Sequence, residues 1–124
     1  MTTYRVLVPA NLELINSNER LHHMVRARRT RALREWAHWQ VKAQKIPKLK
    51  AITVDVVVHP GRRTRRLDPP NWSPTSKACI DGLVDAGVLP DDTGDFVKHV
   101  LFRVGERWDV ARPGVELLIT PAGP

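Results

Sequence analysis

Apolar residues recur along this chain with two periods. Tyr4 to Pro9 (YRVLVP) is an apolar, β-branched run, and from Ala51 to His59 the residues Ile52, Val54, Val56 and Val58 alternate with Thr53, Asp55 and Val57. A period of two predicts strands with one face buried. Between these runs Leu21, Met24, Val25, Ala32, Leu33, Trp36, Ala37 and Val41 return every three or four residues, which predicts a long amphipathic helix from about Glu19 to Lys45. Asn16-Ser17-Asn18 offers its N-cap, and Pro47 lies just beyond its end. Thr75 to Asp85 predicts a second helix closed by Gly87. Phe96 to Val104 and Gly114 to Thr120 predict two more strands, joined by a turn at Gly105 and a loop through Pro113. The order β-α-β-α-β-β gives an α+β domain: a mixed sheet of about four strands with two helices packed on it. One domain is expected over residues 1–120, followed by a short flexible tail, 121–124.

Length and composition narrow the class. A chain of 124 residues, 42% apolar and 27% charged, fits one ordinary globular core. Its formal charge of +7 points to a polyanionic partner, nucleic acid above all. No apolar run approaches the roughly 18 residues of a membrane span, and the N-terminus lacks a signal-peptide pattern, so a cytoplasmic protein with no membrane partner is expected. Cys79, the one cysteine, cannot form an internal disulfide; Ala78, Ile80 and Leu83 around it suggest a packed helical face. The five histidines lack metal-site spacing, and no GxSxG, P-loop or GxGxxG motif occurs.

The densest chemistry lies between Arg62 and Val100. A basic run (Arg62, Arg63, Arg65, Arg66) leads into Asp68, a helix bearing Lys77 follows, and Asp91-Asp92 opens the next loop. Arginines suit a phosphate backbone, carboxylates suit magnesium, and a lysine suits charge developing on phosphorus. The plain alternatives are that Asp68-Pro69 caps a turn, that residues 90–94 form a polar connection, and that Lys77 faces water. Adjacent carboxylates repel unless a cation lies between them, which favours the metal. Arg26, Arg28, Arg29, Arg31 and Arg34 form a second basic group on the long helix. Trp72 either stacks on an unpaired base or pins its loop to the core. Asp81, four residues after Lys77, suits a helical ion pair with it.

These motifs resemble the RusA-like Holliday junction resolvases. The resemblance rests on Asn18-x-Arg20-x-His22, on basic residues before an Asp-x-Asp-Asn type motif, and on the Lys-x-x-x-Asp-Gly-Leu helix at Lys77, Asp81, Gly82 and Leu83. It extends to a Gly-Val-Leu-x-Asp-Asp segment ending in Asp91-Asp92 and to the last strand, GVELLIT. It implies a magnesium-dependent homodimer, common in phages, that resolves four-way junction DNA by paired symmetric nicks. It also implies Asp68, Lys77 and Asp92 as catalytic groups; Asp68 and Asp92, with Asp91, are the expected metal ligands. Arg26, Arg28, Arg29, Arg62, Arg63, Arg65, Arg66, Asn71 and Trp72 are the expected DNA contacts. The family's second motif carboxylate falls on Pro70, which ligates no metal. Asp91 or Asn71 would complete the shell, or the protein binds junctions and cuts them weakly or not at all.

Overall fold

A computed structural model describes residues 2–9 and 11–123; Met1, Ala10 and Pro124, which belong to the expected domain and tail, lie outside the described residues. The chain runs β1 (Tyr4–Leu7), α1 (His23–Gln44), β2 (Ile52–His59), a 3-10 turn (Pro69–Trp72), α2 (Ser73–Asp85), β3 (Val97–Val104) and β4 (Gly114–Pro121). The strands form one sheet in the order β1-β4-β2-β3. β2 pairs parallel with β3 and antiparallel with β4, which pairs antiparallel with β1. A parallel neighbour needs a crossover, and α2 supplies it. The α+β class and the element order expected from the sequence are those of the folded chain.

The alternation in β2 works as its pattern dictates. Ile52, Val54, Val56 and Val58 are wholly buried and share their face with Val115, Leu117 and Ile119 of β4. The two helices pack on each other over this core, contributing Leu33 and Ala37 from α1 and Cys79 and Leu83 from α2. Burial pushes the Cys79 thiol up to about 12, so it stays an inert core group at neutral pH. At the helix crossing a Cβ on Gly82 would lie 2.8 Å from the Ala37 Cβ and closer still to the Arg34 carbonyl oxygen. The helices approach this closely because position 82 has no side chain.

The long helix begins later than its pattern suggests, at His23 rather than near Glu19. Asn16, Ser17 and Asn18 do not cap it. The Asn18 N–H donates to Asn16 Oδ1 (2.8 Å) and the Asn16 N–H to Glu19 Oε1 (3.2 Å), bonds of the kind that open a helix. These bonds close a turn of their own. The Ser17 N–H then donates to the Asn71 carbonyl (2.7 Å), which holds that turn against the loop before α2. His22 Nδ1 accepts from the Met24 N–H and caps the helix instead. Of the expected apolar stripe, Leu33, Ala37 and Val41 are buried, whereas Met24 is exposed and Leu21 precedes the helix.

Two ends also differ from expectation. β1 stops at Leu7, although the Val8 N–H still reaches Val115 O. β4 extends to Pro121, and the Ala122 N–H donates to Ala51 O (2.8 Å), so residues expected in a loose tail complete the sheet. No described helix is long and apolar enough to cross a membrane.

Candidate active site

α2 carries the candidate chemistry because of how it starts and stops. Pro74 occupies its first turn, where a missing N–H costs nothing. Buried Thr75 exchanges two 2.8 Å hydrogen bonds with the Ile15 backbone, anchoring the helix start to the segment before α1. At the other end Gly87 (φ 86°) takes the left-handed conformation while its N–H donates to Val84 O and the Val88 N–H to Leu83 O, a Schellman closure. Val88 and Leu89 bury themselves, and the loop brings Asp92 to Lys77.

The Lys77 ammonium donates to Asp81 Oδ1 (2.7 Å) and to Asp92 Oδ2. The pairing with Asp81 is the helical ion pair its spacing predicts. The two carboxylates hold the Lys77 ammonium above its ordinary 10.5, Asp81 foremost. In return the Lys77 hydrogen bond holds the Asp92 carboxyl below its ordinary 3.8. Lys77 is exposed, with Asp81 and Asp92 partly covered beside it. Asp91 Oδ1 accepts the Asp92 N–H (2.8 Å) and so stiffens the pair. The cation beside Asp92 is thus Lys77, and the second carboxylate on it is Asp81 rather than Asp91.

Asp68 precedes the 3-10 turn, which packs against β2 and β3. Its carbonyl accepts the Asn71 N–H (3.0 Å), but its side chain caps nothing. Among the described residues that exposed carboxylate has no hydrogen bond and no ion pair. Asn71 turns its amide oxygen toward the Ser17 hydroxyl (3.4 Å). Trp72 is half-buried against the core, which pins the loop while leaving part of the indole open. The oxygen donors Asp68, Asp81, Asp91 and Asp92 suit a hard divalent cation chemically. Among the described residues no three His, Cys, Asp or Glu side chains stand together as a ligand set, so Asp68, Asp91 and Asp92 are not gathered at one point.

The basic groups divide by environment. Arg62, Arg63, Arg65 and Arg66 are exposed, and among the described residues only Arg62 approaches an acid, Asp109 at 3.6 Å. Their loop is stapled by Arg107, which donates to Gly61 O (2.7 Å) and Thr64 O (2.8 Å). Nothing in the sequence near Arg107 announces this role. On α1, Arg26 and Arg28 are exposed. Arg29 instead turns inward, 19% exposed, bonding Glu13 at 2.6 Å with Glu19 at 3.6 Å. Arg34 makes a two-pronged pair with Asp85 (2.9 and 2.8 Å) that ties α1 to α2. Those two are structural anchors in this geometry.

A second charged cluster lies on the sheet's other face. His59 Nε2 meets Glu116 Oε1 at 2.8 Å, its Nδ1 meets Glu106 O at 2.8 Å, and Arg5 Nε bonds the second Glu116 oxygen. Burial alone would raise the Glu116 carboxyl, but the His59 and Arg5 hydrogen bonds outweigh it and hold the group below its ordinary 4.5. A depressed carboxyl contributes stability above its unfolded value, and that contribution is lost as pH falls through the folded value. Thermal melts should therefore show stability falling below pH 4.5. Glu116→Gln should cost about 2 kcal/mol at neutral pH and flatten this acid limb. An unchanged acid limb would refute the assignment.

No family model matches the chain, and no curated protein matches it in sequence.

Proposed function

We propose that the protein is a magnesium-dependent, structure-selective endodeoxyribonuclease that resolves four-way DNA junctions by paired nicks, acting as a cytoplasmic homodimer in recombination and repair. The observation that carries this reading is the exposed Lys77 ammonium held between Asp81 and Asp92, on the helix entered from the uncommitted carboxylate of Asp68. An exposed carboxylate, a fixed ammonium and a run of exposed arginines are the parts phosphodiester hydrolysis uses. The motif resemblance gives Asp68, Lys77 and Asp92 catalytic roles as well.

In this mechanism Asp68 and Asp92, with Asp91, are the oxygen donors that would hold magnesium, although they stand apart in the fold; the ion would supply Lewis-acid chemistry at the phosphoryl group. Lys77 donates to the non-bridging phosphate oxygen as negative charge develops there, and Asp81, one turn along, keeps its chain aimed. Arg62, Arg63, Arg65 and Arg66, with Arg26 and Arg28, hold the flanking phosphates and read the junction's shape rather than its bases. Two symmetric nicks require two sites, hence two subunits.

A second reading, a junction-binding protein with weak or no cleavage, is favoured by Pro70 and by carboxylates that stand apart. Both readings predict tight junction binding that falls steeply with salt, since arginine contacts release counterions. They part on Pro70→Asp. If cutting by that variant rises at least about tenfold while junction affinity is unchanged, the parent's site is short of one carboxylate; unchanged cutting by a parent that already cuts efficiently means its shell is complete, and a parent and variant that both fail to cut exclude the nuclease. Efficient displacement of junction DNA by single-stranded RNA would contradict both.

A further inference from the structure

A cleft of about 600 Å³ opens at the loop before α2, walled by Trp72, Trp108, Leu12, Val110 and Pro113. Trp108 is fixed in this wall by two contacts. It stacks on His59 at 4.4 Å between ring centroids, and it lies so close over Gly114 that a Cβ there would overlap the indole. The rim is polar, with Asn16 and Asn18 beside Glu13, Glu19, Arg29 and Arg112. Arg29, itself largely covered, holds Glu13 and Glu19 in place while both stay about half exposed (52% and 42%).

Charge and shape together narrow the occupant. The cleft's two carboxylates and two guanidiniums cancel, so it offers no net attraction to phosphate, in contrast to the exposed arginines of residues 62–66. Its walls suit a flat, neutral, aromatic body, and its rim offers donors and acceptors for the edge of one. It also shares a loop with the candidate site. Trp72 ends the turn that follows Asp68, and the Ser17 N–H, between the two rim asparagines, bonds the Asn71 carbonyl.

We infer that this cleft takes one unpaired nucleobase of the bound DNA, stacked on the indoles of Trp72 and Trp108, while the strand's phosphates stay on the arginines outside. The inference rests on the DNA-binding reading of the protein and adds to it a base-accepting subsite. It requires that the DNA have an unstacked base near the bound phosphate, which a branch point supplies more cheaply than a continuous duplex.

The test uses four-way junctions in which single nucleotides near the crossover are replaced, one at a time, by abasic residues. Affinity is read by fluorescence anisotropy with chelator present, so that no cutting intervenes. At one position, loss of the base should weaken binding by the parent protein about tenfold, the usual order for one base stacked on an aromatic side chain. Val110→Trp, at an exposed position on the wall, crowds the cleft with a bulky indole. It should melt as the parent does, bind the intact junction about tenfold more weakly, and no longer distinguish the abasic substrate. Junction binding that ignores every abasic replacement overturns the subsite alone, as does an abasic penalty that persists in full in Val110→Trp. Absence of junction binding overturns the DNA reading as well.

Discussion

Asp92→Asn is expected to lower junction cleavage about a thousandfold while leaving junction affinity equal or higher. Under the proposed function the carboxylate would hold two roles at once, a partner for the Lys77 ammonium and an oxygen for the divalent cation, and several kcal/mol of transition-state stabilisation would go with it. Affinity would be equal or higher because one negative charge leaves a surface that the proposed function sets against phosphate. Single-turnover cleavage with anisotropy on the same preparation separates the two effects. Cleavage at the parent's rate would remove Asp92 from the chemistry, and a parallel loss of cutting and binding would make it a folding or docking residue. Asp81 offers the internal contrast. Asp81→Asn leaves the Asp92 contact to Lys77 intact and should cost far less.

Gly82→Ala should destabilise the fold by about 3 kcal/mol, at the upper end of what one added methyl group costs in a packed interior. The reason is local and steric. The new Cβ would meet the backbone oxygen of Arg34 and sit 2.8 Å from the Ala37 Cβ, and neither is the free end of a flexible side chain. Relief requires α1 and α2 to separate, which would also strain the Arg34–Asp85 pair across the same interface. Denaturant titration measures the change. A loss below about 0.5 kcal/mol would mean the helices pack less tightly than this crossing implies.

Much of the fold is legible in the sequence because it depends on period and on local chemistry. The alternation of Ile52, Val54, Val56 and Val58 needs no partner to be read, and the α2 closure follows from Gly87 in its left-handed conformation. The start of α1 misleads because Asn16 and Glu19 form the bonds of a helix start but spend them on an isolated turn. What stops the helix there is the tertiary bond from Ser17 to Asn71, 54 residues away. At the α1 C-terminus, Lys45 adopts φ 56°, a conformation its side chain does not advertise.

The candidate site is half legible for the same reason. Lys77 and Asp81 are one helical turn apart and announce their pairing, whereas Asp92 joins them only through the path of the loop after α2. In sequence Arg29 is one of several surface arginines; its inward turn depends on Glu13 and Glu19 from a different segment. Glu116 does carry a signal. A carboxylate in the middle of the apolar run GVELLIT must find a hydrogen-bonded partner when buried, and His59 and Arg5 supply it.

The most direct test of the proposed function is cleavage of an end-labelled four-way junction beside a linear duplex of the same sequence, with magnesium and with chelator. Paired, magnesium-dependent nicks near the crossover, on the junction alone, are the predicted result. Tight junction binding with no nicks in magnesium would contradict the nuclease and leave a junction-binding protein.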